Sequence, residues 1–208
     1  LCGVNDCSFH AHGNGTIGHM VSTYAIRLYA WSAYAFCDDS LQSTMNGYFD
    51  VDSRFEWLDK IIRPKLLELK TLQEKISFTE QALLKRLSDV RENTVVNDTI
   101  QNILINKGSL DIAKLAKKSF VSTRQLERLF HEYVGITPKK LSNLIRYQFL
   151  WRDILCEPDF DVLSAVYKFG YTDQSHLLRE FKRYHSMDIH NARIMAFKDV
   201  GNIQDVFV

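Results

Sequence analysis

The fold is decided by a pattern of nine residues that occurs twice: Ser122-Thr-Arg-Gln-Leu-Glu-Arg-Leu-Phe130 and, 51 residues further on, Asp173-Gln-Ser-His-Leu-Leu-Arg-Glu-Phe181. Each copy begins with a Ser or Asp whose side-chain oxygen can accept the free amide protons of a first helical turn. The Leu and Phe of each copy are four residues apart, so they share one face of a helix and are expected to be buried together. The shared Arg then lies on another face. The sequence therefore predicts two helices of the same design.

A shorter apolar segment precedes each copy. The corresponding apolar positions are Ile112, Leu115 and Ala116 before the first copy and, at an offset of 50 residues, Val162, Ala165 and Val166 before the second. The second turn therefore has one extra residue, and Gly170 stands in it, where a left-handed backbone costs glycine least. Two short helices joined by a tight turn are typical of a helix-turn-helix. We predict two such units.

A longer helix is predicted between the two units. Thr137-Pro138 has the form of a helix start, with a capping hydroxyl and a proline at the first helical position. Leu141, Ile145 and Ile154 continue the helical pattern to about Leu155. At ~1.5 Å per residue such a helix is roughly 27 Å long. A rod of this length can hold two recognition helices in successive major grooves, which lie ~34 Å apart on one face of B-DNA.

The candidate DNA-contacting residues are the side chains of each copy that lie away from its Leu/Phe face. Arginine suits bidentate contact with guanine, and glutamine suits adenine. The predicted base-facing residues are Thr123, Arg124, Glu127 and Arg128 in the first copy and Gln174, Ser175, His176 and Arg179 in the second. The predicted phosphate contacts, which position the protein without specifying sequence, are Lys139, Lys182 and Arg183. Three alternatives stay open: ion pairs for Arg128 and Arg179, a solvated position for Glu127, and a packing or capping role for His176.

These residues carry a resemblance to a known family. Phe169-Gly-Tyr-Thr-Asp-Gln-Ser-His-Leu-Leu-Arg-Glu-Phe-Lys-Arg183, together with Gly135-Ile-Thr-Pro138 in the first copy, resembles the DNA-binding domain of AraC/XylS-type bacterial transcription regulators. The resemblance covers about residues 97–193. It implies seven helices in two subdomains joined by a linker helix, and promoter recognition, most often activation by recruiting RNA polymerase. Where the family usually has Gly followed by Ser or Thr and Pro, this chain has Ser186 and Asp188, and Asp188 can still cap the next helix.

Residues 1–96 are predicted to form a separate region, mostly helical with a short β segment. Alternation from Thr23 to Leu28 favours the strand, and Ser77-Phe-Thr-Glu80 has the form of a capping box that opens a helix. The segment from Ile26 to Tyr34 resembles the last portion of the sensory or dimerising domain of a subset of these regulators, so a homodimer through this region stays open. We place the DNA-binding domain at 97–196 and a C-terminal tail at 197–208. The start at Leu1 rather than Met is compatible with a fragment whose upstream part is missing.

Composition and charge limit the class of protein. The chain of 208 residues is 46% hydrophobic and 25% charged, with 9 Gly and 3 Pro, as in an ordinary helical globular protein. Its net charge is +1, but residues 1–96 carry −2 and residues 97–208 carry +3. This bias favours a polyanion such as double-stranded DNA, although a solvated helix face has the same pattern. The sequence has no membrane-span pattern or signal peptide, and its few, irregularly spaced cysteines fit a reducing cytosol. We predict a cytoplasmic location.

No catalytic motif accompanies the repeat. The four cysteines form no C-x-x-C pair, and the sequence has no glycine-rich phosphate loop, H-E-x-x-H or G-x-S-x-G. Cys2, Cys7, His10 and His12 are close together, but their spacing matches no common zinc site. We therefore predict a mainly α, sequence-specific transcriptional regulator that is not an enzyme and has no metal or cofactor. The alternatives are a helical protein-interaction adaptor and a DNA-alkylation repair enzyme with a metal-bound cysteine, which would need the missing cysteine pairs.

Overall fold

The computed structural model describes residues 24–37, 41, 55–87 and 92–198. Within these ranges the chain forms nine α-helices and no strand, which confirms the mainly α class. The helices are α1 Arg63–Glu68, α2 Leu72–Leu87, α3 Thr94–Ile105, α4 Ile112–Lys118, α5 Thr123–Tyr133, α6 Pro138–Cys156, α7 Val162–Phe169, α8 Gln174–His185 and α9 Ile189–Lys198. A 3₁₀ turn at Ala33–Phe36 and a π-helical turn at Leu58–Ile62 precede α1.

The expected β segment is not found among the described residues. Tyr24 to Leu28 lies in neither a helix nor a strand, and Thr23 is outside the described ranges. The Tyr24 hydroxyl donates to Thr79 Oγ1 at 3.0 Å and approaches the Lys75 carbonyl at 3.3 Å. This segment is thus held to α2 by side-chain hydrogen bonds. Alternation alone does not make a strand without a neighbouring strand to complete its backbone hydrogen bonds.

The predicted caps begin the helices of the repeat. The Ser122 side chain accepts from the Gln125 amide at 3.1 Å, and the Asp173 carboxylate accepts from the His176 amide at 2.7 Å. Thr137 caps α6 in the same way, through the Lys140 amide at 3.2 Å. These contacts satisfy amide protons that have no partner inside a helix. The two helix-turn-helix units are therefore formed by α4 with α5 and by α7 with α8.

The capping box predicted at Ser77 is wrong. Helix α2 already runs from Leu72 through Glu80. The real box lies one and a half turns earlier, where Thr71 Oγ1 accepts from the Glu74 amide at 3.2 Å and the Glu74 carboxylate accepts from the Thr71 amide at 2.9 Å. The Thr71 amide and the Thr71 hydroxyl both donate to the Glu74 carboxylate, and these two bonds lower the pKa of Glu74. Both stretches have the Ser/Thr-x-x-Glu pattern, and the apolar residues before Ser77 extend the helix past it.

Two apolar cores lie along α6. The first contains Leu126 and Phe130 of α5 together with Leu141 and Ile145 from the first half of α6. The second is built in the same way from α8 and the second half of α6, and its members include Leu177, Phe181, Leu150 and Ile154. The four repeated Leu and Phe side chains are at most 1% exposed, as the pattern predicts. Helix α6 thus contributes side chains to the cores of both helix-turn-helix units.

The N-terminal region packs against the first unit. Trp31 contacts the first core, and the Tyr34 ring meets the Tyr133 ring edge-on at 5.1 Å. Helix α3 begins at Thr94, and its Val96 already belongs to the first core. At the other end, α9 reaches Lys198, and residues 199–208 are outside the described ranges. The division at 96/97 stays a prediction, and α3 runs across it.

Candidate nucleic-acid interface

The exposed face of α5 contains every base-facing residue predicted in the first copy. Thr123, Arg124, Glu127 and Arg128 are all exposed, while Leu126 on the opposite face is fully buried. A shallow, open depression follows this face and is lined by Ser122, Arg124, Gln125, Glu127, Arg128 and His131. Within the described part of the chain, neither Arg124 nor Arg128 has an ion-pair or hydrogen-bond partner. Their guanidinium donors are therefore available to an external acceptor.

The exposed face of α8 is less uniform. Gln174, Ser175 and Arg179 are exposed, and the Arg179 Nε donates to the Ser175 carbonyl at 3.2 Å. This bond directs the side chain along its own helix and leaves the terminal guanidinium nitrogens to other partners. His176 is half-buried, and its ring meets the Tyr171 ring edge-on at 5.3 Å. The structure thus gives His176 a packing contact, which was one of the open alternatives.

The three predicted phosphate contacts lie near helix ends. Lys139 is exposed in the first turn of α6, and Lys182 and Arg183 are exposed in the last turn of α8. The Arg183 guanidinium also lies 5.9 Å from the centre of the Tyr184 ring. Exposed cations on flexible stems reach phosphate oxygens without a fixed geometry. The placement is compatible with the predicted role.

A buried ion pair joins α8 to α6, and no predicted site residue belongs to it. The Arg146 guanidinium on α6 donates to the Glu180 carboxylate from two nitrogens: Nη2 donates to Oε2 at 2.8 Å and to Oε1 at 2.9 Å, and Nε donates to Oε1 at 3.3 Å. The Tyr171 hydroxyl donates to Glu180 Oε1 at 2.7 Å, and the Arg146 guanidinium lies 4.2 Å from the Tyr171 ring centre. The two charged side chains are only 7% and 11% exposed. Burial, and then the charge of Glu180, raise the pKa of Tyr171 well above its usual value, so the phenol stays a donor.

The repeat contained a signal for this pair. The residue that corresponds to Glu180 in the first copy is Leu129, which is half-buried against the first core. A carboxylate at a position that the other copy uses for packing needs a buried cation as its partner. The sequence does not say which cation, because Arg146 lies 34 residues away.

A second polar contact lies at the end of α8. The Tyr147 hydroxyl hydrogen-bonds His185 Nδ1, and the imidazole stacks on the Phe181 ring with a centroid separation of 4.6 Å. Burial lowers the pKa of His185 and raises that of Tyr147. A neutral imidazole with its proton on Nε2 can therefore accept at Nδ1 the hydrogen bond that the Tyr147 hydroxyl donates.

In the described ranges, no group of three or more His, Cys, Asp or Glu side chains is arranged to hold a metal ion. The sequence cluster of Cys2, Cys7, His10 and His12 lies outside those ranges. Among the helices that the structure describes, none has both the length and the apolar character needed to cross a lipid bilayer.

Comparison with known proteins agrees with this geometry. Two capped recognition helices on one shared helix define a helix-turn-helix domain, and residues 115–193 match the helix-turn-helix domain family. A similar protein of Haemophilus influenzae, named an uncharacterized HTH-type transcriptional regulator, is 26% identical over 111 residues. The aligned stretch is 53% of this chain and 36% of that protein. No solved structure matches the chain.

The match includes both units, because it runs from α4 into α9. The resemblance to AraC/XylS-type regulators is thereby confirmed for the C-terminal part of the chain. Residues 115–193 are thus similar to an AraC/XylS-type helix-turn-helix domain.

Proposed function

We propose that the chain is a sequence-specific DNA-binding transcriptional regulator that inserts α5 and α8 into two successive major grooves. One observation carries the proposal: both helices pack their Leu/Phe faces on α6 and leave arginines on their exposed faces. The 19 residues of α6 extend roughly 28 Å at ~1.5 Å per residue. This length is close to the ~34 Å between successive major grooves on one face of B-DNA.

The exposed side chains divide into two proposed roles. Arg124, Arg128 and Arg179 have the donors for bidentate contact with guanine, Gln174 has those for adenine, and Glu127 can accept from a cytosine amino group. Lys139, Lys182 and Arg183 neutralise phosphates and position the domain. The absence of an internal partner for Arg124 and Arg128 in the described part of the chain supports these roles. Thr123 and Ser175 add hydroxyls that suit either a base edge or a phosphate.

Activation is the regulatory role that the AraC/XylS resemblance implies, through contact with RNA polymerase at a promoter in the bacterial cytoplasm. We extend the proposal to this role, without any catalytic step. A reporter gene preceded by the selected DNA site tests it. Expression that rises with the full chain supports activation, whereas expression that falls identifies a repressor.

We also propose a homodimer through the N-terminal region. Leu67 of α1 and Leu72 and Leu84 of α2 are 82%, 65% and 66% exposed, respectively. Large apolar side chains exposed on two helices that follow one another in the chain favour contact with another protein surface. A dimer would place two DNA-binding domains on one operator.

Selection of bound sites from a pool of random duplexes tests DNA recognition directly. The full chain is expected to enrich a motif of two half-sites with centres about 10 base pairs apart. Arg124→Ala/Arg128→Ala is expected to lose the first half-site. The control Arg63→Ala removes an exposed arginine of α1 and is expected to leave the motif unchanged.

The salt dependence of binding separates the regulator from a protein-interaction adaptor. Counterion release predicts that the logarithm of affinity falls linearly with the logarithm of salt concentration, with a slope near −0.9 for each phosphate neutralised. A chain that enriches no site and shows no such slope on random duplex is not a DNA-binding regulator.

A further inference from the structure

The loop between α3 and α4 lies directly on α6. Gly108 has a φ of +73°, and a Cβ built on it would be 2.1 Å from the Ser142 carbonyl oxygen and 2.5 Å from the Arg146 amide nitrogen. Contacts under 3.0 Å do not occur, so only glycine lets the two backbones come this close. The Ser142 hydroxyl donates to the Gly108 carbonyl at 2.7 Å and is fully buried. The first helix-turn-helix unit is therefore attached to the middle of α6 by backbone contact.

The same loop also touches the second unit. A Cβ built on Gly170, whose φ is +66°, would lie 2.3 Å from Ser109 Oγ. Gly170 ends α7 in the turn that leads to α8, and Ser109 follows Gly108 in the loop. The two units are thus joined by α6 and also by a direct contact between the loop of one and the turn of the other.

Arg146 connects this loop to the second recognition helix. Its backbone and Cβ lie against Gly108, and its Nε and Nη2 form the buried bidentate pair with Oε1 and Oε2 of Glu180 on α8. A guanidinium and a carboxylate joined by two parallel hydrogen bonds can adopt only a narrow range of orientations. Apolar side chains of similar volume often give equal stability when they replace such a pair, but they do not impose its direction. The main physical consequence of the pair is therefore that it fixes the orientation of α8 relative to α6.

We propose that Arg146 and Glu180 are positioning residues that fix the angle between α5 and α8, and thereby the number of base pairs between the two half-sites. This inference rests on the proposed function. The contacts at Gly108 and Gly170 hold the first unit against the same point of α6. One inserted base pair moves a half-site by ~3.4 Å and rotates it by ~34° about the DNA axis. Two units held in one relative orientation cannot both stay in contact with half-sites that have been shifted and rotated in this way.

The test measures binding to duplexes that differ only in half-site spacing. The full chain and the double variant Arg146→Met/Glu180→Leu are titrated with the selected site and with versions that have one base pair added or removed between the half-sites. The wild-type chain is expected to lose about tenfold or more in affinity for each altered spacing, a loss comparable to that of a mismatched base pair. The double variant is expected to lose less than about threefold, because its units can reorient.

A matched control removes an exposed ion pair from the same unit. Glu157→Leu abolishes the contact of Lys168 Nζ with Glu157 Oε1, 3.0 Å in length, leaves Lys168 paired with Asp153 at 2.6 Å, and is expected to keep the wild-type spacing preference. Thermal unfolding of each variant shows whether it is folded. If the double variant does not fold, Glu180→Gln supplies the same measurement, because it keeps the shape of the side chain and removes the charge.

The outcomes separate this inference from the proposed function. A folded variant that discriminates between spacings as sharply as the wild-type chain overturns the positioning role and leaves the regulator intact. A wild-type chain that tolerates all spacings also overturns it. Failure of the wild-type chain to select any site overturns the proposed function, and this inference with it.

Discussion

Arginines of the helix-turn-helix domain occupy two kinds of surroundings. Arg146 is buried and donates from both Nε and Nη2 to one carboxylate, in keeping with the cost of an unpaired buried charge. Arg124, Arg128 and Arg179 are exposed, and exposed ion pairs would contribute little to stability in any case. The residues are chemically identical, so burial alone separates a structural arginine from a candidate base-reading one.

Two residues of α8 have different proposed roles: Arg179 contacts a base, and Lys182 contacts a phosphate. Arg179→Ala is expected to cost ~1–3 kcal/mol of binding free energy on the selected site and to relax the preference at one base position. Lys182→Ala is expected to weaken binding on all sequences and to reduce the salt slope by about 1. Titrations of matched and mismatched duplexes at several salt concentrations measure both effects. Uniform weakening by Arg179→Ala would assign that residue to phosphate instead.

At the scale of the element, each recognition helix is held by a buried apolar pair on one face. Phe181 is 1% exposed in the second core, whereas Leu178 on the same helix is 43% exposed. Phe181→Ala is expected to lower the free energy of unfolding by ~3–5 kcal/mol through lost burial and a cavity. Leu178→Ala, as the control, is expected to cost less than about 1 kcal/mol. Denaturant unfolding curves measure the difference, and equal losses would mean that α8 does not pack by its Phe face.

The end of α8 is expected to make stability depend on pH. Because burial lowers the pKa of His185 below its ordinary 6.5, the unfolded chain takes up a proton at a higher pH than the folded chain. The contribution of His185 to the free energy of unfolding is therefore fully present above about pH 6.5. It is lost as the pH falls through the lowered pKa of His185 in the folded chain. Protonation would also remove the acceptor for the Tyr147 hydroxyl.

Chemical denaturation at pH 7 and pH 5 measures this effect. The variant His185→Phe keeps a ring to stack on Phe181, and it is expected to lose less stability between the two pH values than the wild-type chain. The control His190→Phe changes an exposed histidine of α9 and is expected to behave as the wild type. If His185→Phe shows the full wild-type loss, another group is responsible for the pH dependence.

Most of the helices could be predicted because their signals are local. Ser122, Thr137 and Asp173 each cap a helix from within three residues, and Asp188 caps α9 through the Asn191 amide at 3.0 Å although the usual proline is missing. The same local pattern misplaced the start of α2 at Ser77. A capping sequence inside a longer apolar helix has no free amide protons to satisfy, and only the full extent of the helix reveals this.

At the scale of the whole molecule, the exposed leucines of the N-terminal region predict self-association. Leu84→Glu is expected to raise the dimer dissociation constant by about tenfold or more, because a charge would enter an apolar contact. The control Gln81→Glu places the same charge on an exposed polar position of α2. Sedimentation equilibrium measures the dissociation constants. A wild-type chain that is monomeric at micromolar concentration, or a Leu84→Glu chain that dimerises as the wild type does, would contradict the proposed dimer.

The sequence by itself determined the helices of the repeat, their buried Leu/Phe faces and the candidate DNA-contacting residues. These features depend on helix caps and on apolar pairs spaced by four residues, which are interactions between residues close in sequence. The comparison of the two copies shows that the same local pattern occurs twice. Only the tertiary structure decided that Arg146 meets Glu180, that Gly108 lies on α6 and that Ser109 touches Gly170. Each of these contacts joins residues more than 30 positions apart, so each exists only because the two units pack against the same helix.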